Sequence, residues 1–429
     1  MLSSAWKYVP GNEYCVKVTD GTHDSPKQAE YGKPLITSKH IKGDEIDFDT
    51  AYLISEHDFN EINKRSKVDQ WDVIISMIGA YCGFCFIESS EEIDYAVKNV
   101  GLFKAGSEVN AKWLYYYLNS PIGRAHLDAV KSGSTQPYIA LGALRNLPIL
   151  VPKKDELKEK IVAILDAIDT KIRVNNRINA ELEAMAKTLY DYWFVQFDFP
   201  DDSPQGQGKP YKTSGGKMVY NPTLKREIPE GWSDSTLEDI GQIVGGSTPS
   251  TQDPENFSID GYPWITPNDL SNNQGNKFIS RGGQDVSAEG IKNASLKLYP
   301  AGTVLLSSRA PIGYMAISRN EVTTNQGFKS FIPNKGYSSE FIYYTVKNSL
   351  KAITQYASGS TFKEVSGGTL KTVKVVLPSV TLSDAFTEKA KPIFSQQDNI
   401  EKENAQLVKL RDWLLPMLMN GQVTVGEAS

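Results

Sequence analysis

Two stretches of the chain carry apolar residues at the spacing of a long amphipathic helix. In the first stretch these are Leu157, Ile161, Ile164, Ile168, Ile172, Ile178, Leu182, Met185 and Leu189. In the second they are Phe386, Ala390, Ile393, Ile400, Leu407, Leu410 and Leu414, with Gln397 and Asn404 on the same stripe. Spacings of three and four over many turns predict two helices with a coiled-coil seam. A helix over residues 157–193 would extend roughly 55 Å, so its stripe needs a partner outside a small domain. The other helix is the obvious partner, and we expect an antiparallel pair.

A segment of about 150 residues precedes each helix, and it has a different pattern. Short β-branched and aromatic runs alternate with Gly, Pro and Asn, which predicts a mixed domain dominated by short strands. The sequence therefore predicts an α+β chain with a strand-rich domain at 1–152, a long helix at 153–197, a linker at 198–227, a second domain at 228–380, and a helix with a tail at 381–429. The linker begins with a turn-rich run at residues 201–210.

The two halves repeat each other in sequence. Residues 33–37 (KPLIT) match 262–266 (YPWIT), and 72–76 (DVIIS) match 303–307 (TVLLS). Residues 113–117 (WLYYY) match 341–344 (FIYY), and the SGST tetrapeptide occurs at both 132–135 and 358–361. The offset stays near 226–231 residues, which predicts a pseudo-two-fold internal repeat.

Composition narrows the class of protein. The 429 residues are 40% hydrophobic and 23% charged, which is typical of a globular chain. No apolar run reaches the roughly 20 residues of a membrane span, and no secretion signal is visible at the start. Three cysteines cannot form a disulfide framework, so we expect a cytoplasmic location. Four scattered histidines offer little material for a metal centre.

Several segments, in this order, resemble the specificity subunit of type I restriction–modification enzymes. They are residues 191–197 (DYWFVQF), 215–219 (GGKMV), 228–232 (IPEGW) and 407–416 (LVKLRDWLLP), which follow a strand-rich domain and a long helix. The first domain offers no clear counterpart of residues 228–232. The resemblance covers essentially the whole chain. It implies two target-recognition domains that each read half of a bipartite DNA sequence, separated by helices that act as spacer and docking site.

The resemblance also implies what the chain binds and what it lacks. We expect double-stranded DNA, two methyltransferase subunits and, in some assemblies, restriction subunits as partners. S-adenosylmethionine, ATP and magnesium would then belong to those partners, and this chain would be a non-catalytic subunit without cofactor. The docking candidates are the apolar helix residues Leu157, Ile161, Leu182, Leu189, Trp193, Leu407, Leu410 and Leu414.

Charge shows that any attraction to DNA is local. Residues 1–152 hold 15 basic and 19 acidic side chains, and residues 229–380 hold 13 of each. Neither domain is a DNA binder by composition, so we expect much of the non-specific affinity to come from partner subunits. A chain with two similar but non-identical domains can read an asymmetric target, whereas a symmetric dimer requires a palindrome.

Candidate DNA-contacting residues fall into two groups. Ser134, Thr135, Ser360 and Thr361 lie in the repeated SGST loops, where hydroxyls and glycine amides suit either phosphate contact or a structural role. Base readout should sit where the halves differ, in loops with side chains that can bind base edges. The candidates are Thr22, His23, Lys39 and Gln136 in the first domain, with Arg309, Asn325, Gln326 and Lys363 as their equivalents in the second.

Other motifs do not support catalysis or metal binding. Cys82 and Cys85 have the spacing of a zinc or redox half-site, but the repeat aligns them with Ile312 and Met315, which predicts apolar core positions. Residues 221–224 (NPTL) lack the second proline and the aromatic residue of an adenine methyltransferase motif. Two alternatives to a DNA-reading subunit stay open from the sequence: a single-chain adenine methyltransferase with target-recognition domains, and a protein-binding scaffold.

Overall fold

The computed structural model describes residues 5–43, 45–204, 206–309, 311–357 and 364–423. The chain divides into two compact units. The first unit consists of Met1–Ile172 together with Gln406–Ser429, and the second consists of Arg173–Ala405. Each long helix therefore begins in one unit and ends in the other.

The first half of the chain contains nine strands and six α-helices within its described residues, together with a 3-10 helix, Ser38–His40. The strands are β1 (Trp6–Pro10), β2 (Lys17–Asp20), β3 (Lys33–Thr37), β4 (Leu53–Ile54), β5 (Asp72–Ser76), β6 (Cys85–Ile87), β7 (Ala96–Lys98), β8 (Val100–Lys104) and β9 (Pro148–Pro152). The helices are α1 (Gly11–Tyr14), α2 (Glu56–Ser66), α3 (Glu108–Asn119), α4 (Pro121–Val130), α5 (Leu141–Arg145) and the long α6 (Asp155–Tyr190). A π-helical turn, Asp191–Val195, extends α6.

Two short hairpins follow α6, formed by β10 (Pro200–Asp201) with β11 (Lys209–Pro210) and by β12 (Met218–Asn221) with β13 (Arg226–Pro229). The remaining strands are β14 (Ser233–Thr236), β15 (Gln242–Gly245), β16 (Phe257–Ser258), β17 (Tyr262–Ile265), β18 (Phe278–Ile279), β19 (Gln284–Val286), β20 (Val304–Ser308), β21 (Ile312–Ser318), β22 (Thr323–Thr324), β23 (Lys329–Ile332) and β24 (Lys374–Leu377). The remaining helices are α7 (Pro267–Asn272), α8 (Ala288–Asn293), α9 (Ser339–Gln355), α10 (Gly367–Thr372) and the long α11 (Val380–Met419). None of the described helices is long and apolar enough to cross a membrane.

The two strand-rich domains have the same sheet topology. In the first, the order β2-β8-β5-β6 is wholly antiparallel, β3 pairs with β7 in parallel, and β1 pairs with β9. In the second, β15-β23-β20-β21 repeats the antiparallel order, β17 pairs with β22 in parallel, and β14 pairs with β24. Among the residues described, only the second domain adds β18 to the edge of β21 and β16 to the edge of β19. The predicted α+β fold with an internal repeat is thus confirmed.

Strand register gives residue equivalences that the sequence alone left open. Trp6 faces Pro152 across β1 and β9, and Ser233 faces Leu377 across β14 and β24. The next residues outward from this second pair are Trp232 and Pro378, and the repeat aligns Pro378 with Pro152. Trp6 therefore corresponds to Trp232, so the expectation that the first domain lacks a counterpart of residues 228–232 was wrong for the tryptophan. The flanking residues differ, which explains why sequence comparison missed it.

The core of the first unit includes pieces of both long helices. Ile161 and Leu165 of α6 are fully buried in one cluster with Trp113, Leu415 and Leu418. Polar contacts hold the same pieces: the Tyr116 hydroxyl donates to Asp169 (2.8 Å), and Arg411 of α11 also binds Asp169 (3.0 Å). The end of α11 therefore completes the core of a domain that lies at the other end of the sequence.

The second unit is completed in the same way by the end of α6. Tyr190, Trp193 and Phe194 surround the fully buried Phe386 of α11, with ring centroids 5.1–6.0 Å away. These edge contacts and the apolar area they bury favour the packed state. Tyr190, at the end of α6, packs on Phe386 near the start of α11, whereas Asn175, earlier in α6, meets Asn404, later in α11. The two helices therefore pair antiparallel within this unit.

Polar residues sit on the seam between these two helices. The Asn175 amide donates to Asn404 and to Glu403, both at 2.8 Å. Further along, the Gln397 amide donates to the carbonyl of Asn179 (3.4 Å). Buried polar side chains that meet only in one register specify that register at some cost in stability.

A buried lysine connects the second domain to both helices. Lys277 Nζ binds Glu183 of α6 (2.6 Å) and Gln397 of α11 (2.6 Å), and it lies 3.7 Å from the ring centroid of Phe394. Burial lowers the pKa of Lys277 to about 8, although Glu183 opposes that effect. The buried Glu401 side chain accepts from the Lys277 backbone amide (2.6 Å) and from Arg319 (2.7 Å). These bonds fix the segment before β18 on the helix pair.

We predict that Phe386→Ala destabilises the second unit by about 3–5 kcal/mol, because it removes a fully buried ring and leaves a cavity among three aromatic side chains. Urea unfolding followed by tryptophan fluorescence measures the change. Met185→Ala, at a side chain that is 58% exposed on α6, is the matched control and should change stability by less than about 1 kcal/mol. Equal losses in the two variants would contradict the assigned core.

We predict that Lys277→Met destabilises the second unit by up to about 3 kcal/mol at pH 7. The reason is that Glu183 keeps its partly desolvated charge, loses the ion pair with Lys277 and retains the one with Lys347. The double variant with Glu183→Gln should be less destabilised than the sum of the single variants, since neither member is then left unpaired. An additive double-variant cycle would contradict this coupling.

The same residue gives a pH dependence. The pKa of Lys277 in the folded chain, about 8, lies below its ordinary value of 10.5, so the unfolded chain binds more protons between these values. The contribution of Lys277 to the free energy of unfolding therefore increases as pH rises from about 8 towards 10.5. The Lys277→Met variant should lack that increase.

Candidate nucleic-acid interface

In the first domain, most of the predicted DNA-contacting residues lie on loops at one end of the sheets. Thr22 and His23 follow β2, Lys39 follows β3, and the turn between β7 and β8 is formed by Asn99 at a φ of 55°. His23 contacts the Asn99 side chain (3.3 Å), and the Ser38 hydroxyl, beside Lys39, donates to the Asn99 carbonyl (2.6 Å). Asn99, which sequence reasoning missed, therefore connects these loops.

The SGST loop of the first domain is a tight hairpin beside the same end. Ser132 and Tyr138 pair across it, and the Gly79 amide after β5 donates to the Pro137 carbonyl (2.9 Å). Gly133 has a φ of 86°, and a Cβ there would lie 2.6 Å from the Gln136 carbonyl oxygen, so glycine is required. The hairpin leaves three predicted side chains exposed: Ser134, Thr135 and Gln136.

The side chains after β2 differ in how far they are exposed and so in whether they can contact DNA. Thr22 is buried, and its hydroxyl accepts from the Asp24 amide (3.1 Å). His23 is 64% exposed in its side chain and is held by the buried carboxylate of Asp20 (3.0 Å). Asp20 also binds Arg65 (2.5 Å), whose side chain is 59% exposed. Thr22 thus has a local structural bond, while His23 and Lys39 face solvent.

In the second domain, the structure brings three predicted residues onto adjoining segments. Asn325 and Gln326 form the turn after β22, and Arg309 follows β20, whose Ser308 amide donates to the Gly327 carbonyl (2.8 Å). The Asn325 side chain accepts from the Gly327 amide (2.8 Å), which stabilises the turn. The other predicted residues of this domain, Ser360, Thr361 and Lys363, lie outside the described residues.

Among the described residues, register shows that the predicted equivalents across the two halves were wrong, because the two sets of candidates lie on different loops of the shared topology. The Thr248 hydroxyl donates to the Gln326 side chain, as His23 contacts Asn99, so Thr248 is the equivalent of His23 and Gln326 that of Asn99. Sequence comparison anchored on the strands could have found this match. Arg309 faces Glu364 as Ile78 faces Tyr138, so its equivalent is the apolar Ile78.

Arg309 belongs to a group of three charged side chains, together with Lys329 and Glu364. Glu364 is 3.8 Å from Arg309 and 3.9 Å from Lys329 of β23, and its side chain is 42% exposed. Burial lowers the pKa of Lys329, and the positive charge of Arg309 lowers it further, while Glu364 opposes both. Both contacts are longer than a normal hydrogen bond, so Glu364 neutralises the two cations without strong bonds to either. Lys329 and Glu364 were not predicted.

The residues predicted to dock partners are mostly part of the chain's own cores. Ile161, Leu182 and Trp193 are buried in the units that contain them, and Leu157, Leu189, Leu407 and Leu414 are half-buried. Leu410 is 44% exposed. The exposed apolar side chains on the long helices that were not among the predictions include Met185, 58% exposed, and Trp413, 62% exposed. A docking role for any of these residues stays a prediction.

The cysteines lie in the core, as predicted. Cys82 and Cys85 are buried, and Cys85 faces Ile75 as Met315 faces Leu306, which confirms the apolar equivalence. Burial raises the pKa of the Cys85 thiol to about 11, so a thiolate ligand is disfavoured near neutral pH. No group of three or more His, Cys, Asp or Glu side chains in the described ranges could hold a metal ion.

Comparison with known proteins agrees with this architecture. The family model of the type I restriction modification DNA specificity domain matches the chain twice, at residues 6–184 and 229–408. The chain is 42% identical over 188 residues to the type I restriction enzyme MjaIX specificity subunit of Methanocaldococcus jannaschii, covering 43% of each chain, so it spans less than half the length of that relative. It is 28% identical over 340 residues to the HindI specificity subunit of Haemophilus influenzae, covering 69% of this chain and 73% of that one.

A solved structure shows the same fold. The crystal structure of a type I restriction–modification system S subunit from M. genitalium superposes with a TM-score of 0.58 at 15% identity, covering 96% of each chain. The two family matches together span most of this sequence and fall on the two domains with repeated topology. The chain belongs to the family of type I restriction–modification DNA specificity proteins.

Proposed function

We propose that the chain is the sequence-recognition subunit of a type I restriction–modification complex and reads an asymmetric bipartite DNA target, one half with each domain. The observation that carries this proposal is that two domains of one topology present different side chains at the same loops. Equal topology supports equal placement on a duplex, and different side chains support different half-sites.

The difference between the domains is clearest at the end of the central strands. Where the second domain has Arg309 and Glu364, the first has Ile78 and Tyr138. Lys329 faces Gly245 in the second domain, as Gly101 faces Asp20 in the first. The two cations and the carboxylate of the second domain thus correspond to Ile78, Gly101 and Tyr138 in the first, none of which is charged.

The partners that fit this role are double-stranded DNA, two methyltransferase subunits and, where present, restriction subunits. The exposed apolar side chains of Leu410 and Trp413 support docking of protein on α11, because residues three apart lie on the same helix face and together form an apolar patch. We propose that S-adenosylmethionine, ATP and magnesium act on those partners, and that this chain contributes recognition without catalysis. Such a complex acts on DNA in the cytoplasm.

The two alternative functions are less well supported. A single-chain adenine methyltransferase needs a catalytic domain, but both halves of this sequence match the specificity domain. A protein-binding scaffold does not account for the placement of Arg309, Lys329 and Gln326 at adjoining loop ends.

Genome-wide adenine methylation mapping tests the proposal. We expect a bipartite motif when the chain is co-produced with its methyltransferase subunits, and no motif when either is omitted. Replacing residues 229–380 with the corresponding domain of another family member should change one half of the motif and leave the other half unchanged. Methyl transfer by the purified chain alone, or a change in both halves, would refute the proposed role.

We predict that Glu364→Gln strengthens DNA binding by the assembled complex about 2- to 10-fold, because the variant frees Arg309 and Lys329 to bind a phosphate. The dependence of log Kd on log salt should steepen by up to about one unit, since one more phosphate is neutralised. Binding titrations at several salt concentrations measure both changes.

Glu340→Gln is the matched control, because it removes the same charge at the start of α9, away from this group. An equal gain in both variants would mean that only net charge matters and would contradict the site.

A further inference from the structure

We propose that Arg281 and Gln284 read base edges in the half-site of the second domain, and that Asp285 is the positioning residue for Arg281. The inference rests on the proposed function and names part of the surface that would carry it. None of these residues stood among the candidates from the sequence.

Topology places these residues at the same edge as the predicted interface. β17 and β22 are parallel, so their carboxyl ends lie together, and Asn325 and Gln326 follow β22 directly. β19 runs antiparallel to β17, with Gln284 facing Trp264, so the start of β19 lies at this edge too. The Gly283 amide donates to Asp269 (2.8 Å), in the helix α7 that follows β17. Residues 281–284 are therefore fixed next to the loops that carry Asn325 and Gln326.

Asp285 has an unusual environment for a carboxylate. It lies on β19 between Ser258 and Pro263, and its side chain is only 3% exposed. Within the described part of the chain, Arg281 is the one cation in contact with this carboxylate, at 3.1 Å, and the Gly261 backbone amide also interacts with it. Burial raises the pKa of Asp285 and Arg281 opposes that shift. Such a carboxylate has a strong preference for keeping the guanidinium nearby.

Arg281 is consequently held on one side and open on the other. Its side chain is 50% exposed, so most of its five donors remain for a ligand. An arginine whose guanidinium is fixed loses little side-chain entropy when it makes two parallel hydrogen bonds. Guanine, with acceptors O6 and N7 on its major-groove edge, is the base that accepts such a pair.

Arg281 lines a cleft whose other walls, formed by residues 257–259 and 282–285, also suit a base edge. Gln284 is exposed and can make the donor–acceptor pair that adenine recognises. Gly282 and Gly283 put no side chain between Arg281 and Gln284, and a Cβ on Gly282 would lie 2.6 Å from Asp269, so glycine is required there. Ile259, 91% exposed on the opposite wall, offers an apolar contact of the kind that a thymine methyl makes.

The first domain does not repeat this arrangement. Leu53 faces Pro34 as Asp285 faces Pro263, so an apolar residue stands in the place of the buried carboxylate. Tyr52 precedes it where Gln284 precedes Asp285. A feature that differs between two domains of one topology is where half-site specificity is expected. Shared features serve the fold, such as Gly21 after β2 and Gly246 after β15, where a Cβ would collide with the neighbouring backbone.

The test is adenine methylation of a randomised DNA library by the full chain assembled with its methyltransferase subunits. For the wild type we expect a bipartite motif, and its absence would count against the proposed function itself. For Arg281→Ala we expect one guanine position, in one half only, to lose roughly 10- to 100-fold of its discrimination, with the other half unchanged. Gln284→Ala should relax an adjacent position in the same half.

Controls separate base reading from general charge. Lys292→Ala removes one positive charge from α8, outside the cleft, and should leave the motif as it is. If Arg281→Ala lowers methylation equally on all sequences and reduces the salt dependence of binding, Arg281 contacts phosphate and the proposal is wrong. An unchanged motif and rate in Arg281→Ala would refute it too. Assembly of each variant, checked by gel filtration, excludes misfolding.

Asp285→Asn tests the positioning role, because it keeps the shape of the side chain and removes the charge that holds the guanidinium. We expect it to relax discrimination at the same position as Arg281→Ala, by a smaller factor of about 3 to 20, and to add little when the two are combined. Relaxation at a different position, or an additive double variant, would assign Asp285 to the fold alone.

Discussion

The structure depends on the burial of an apolar stripe that is too long for the domain that precedes it. α6 contains 36 residues and α11 contains 40, and each domain supplies apolar surface for only part of one helix. The rest of each stripe is buried in the other unit, where Trp193 and Phe194 meet Phe386, and Leu415 and Leu418 join Ile161. Hydrophobic burial of this kind is the dominant favourable contribution to folding, so neither half of the sequence contains a complete core by itself.

The features that the two domains share and the features in which they differ lie in different parts of each domain. Strand order, the glycines after β2 and β15, and the serine caps of α3 and α9 are alike in both domains, because the fold requires them. Charge differs at loop ends: Arg309, Lys329 and Asp285 correspond to the uncharged Ile78, Gly101 and Leu53 of the first domain. A shared scaffold with different loop ends gives two similar surfaces with different chemical preferences. This arrangement is what an asymmetric target requires of a single chain.

The sequence predicted the fold well and the site in part, for physical reasons. Helical periodicity and the repeat are properties of many residues at once, so the errors of single positions average out. Cys85 could be assigned to the core because its repeat partner is Met315. A contact between distant segments depends on only two or three residues, so no averaging over many positions helps to predict it. Nothing near Asp285 in sequence says that it is buried between Ser258 and Pro263, and Glu364 lies 35 residues beyond its partner Lys329. His23 was placed correctly on a loop, but its partner Asn99 depends on a left-handed turn that only the folded chain shows.

The exchange of helix ends between the units bears on how such a gene could arise. A chain that comprised one strand-rich domain and its own long helix would lack the helix end that closes its core, and would have an unfilled site for one. Two identical copies could each supply the missing end to the other, as a helix-swapped homodimer. Fusion of the two copies would then turn an intermolecular exchange into an intramolecular one, after which the two readers were free to diverge.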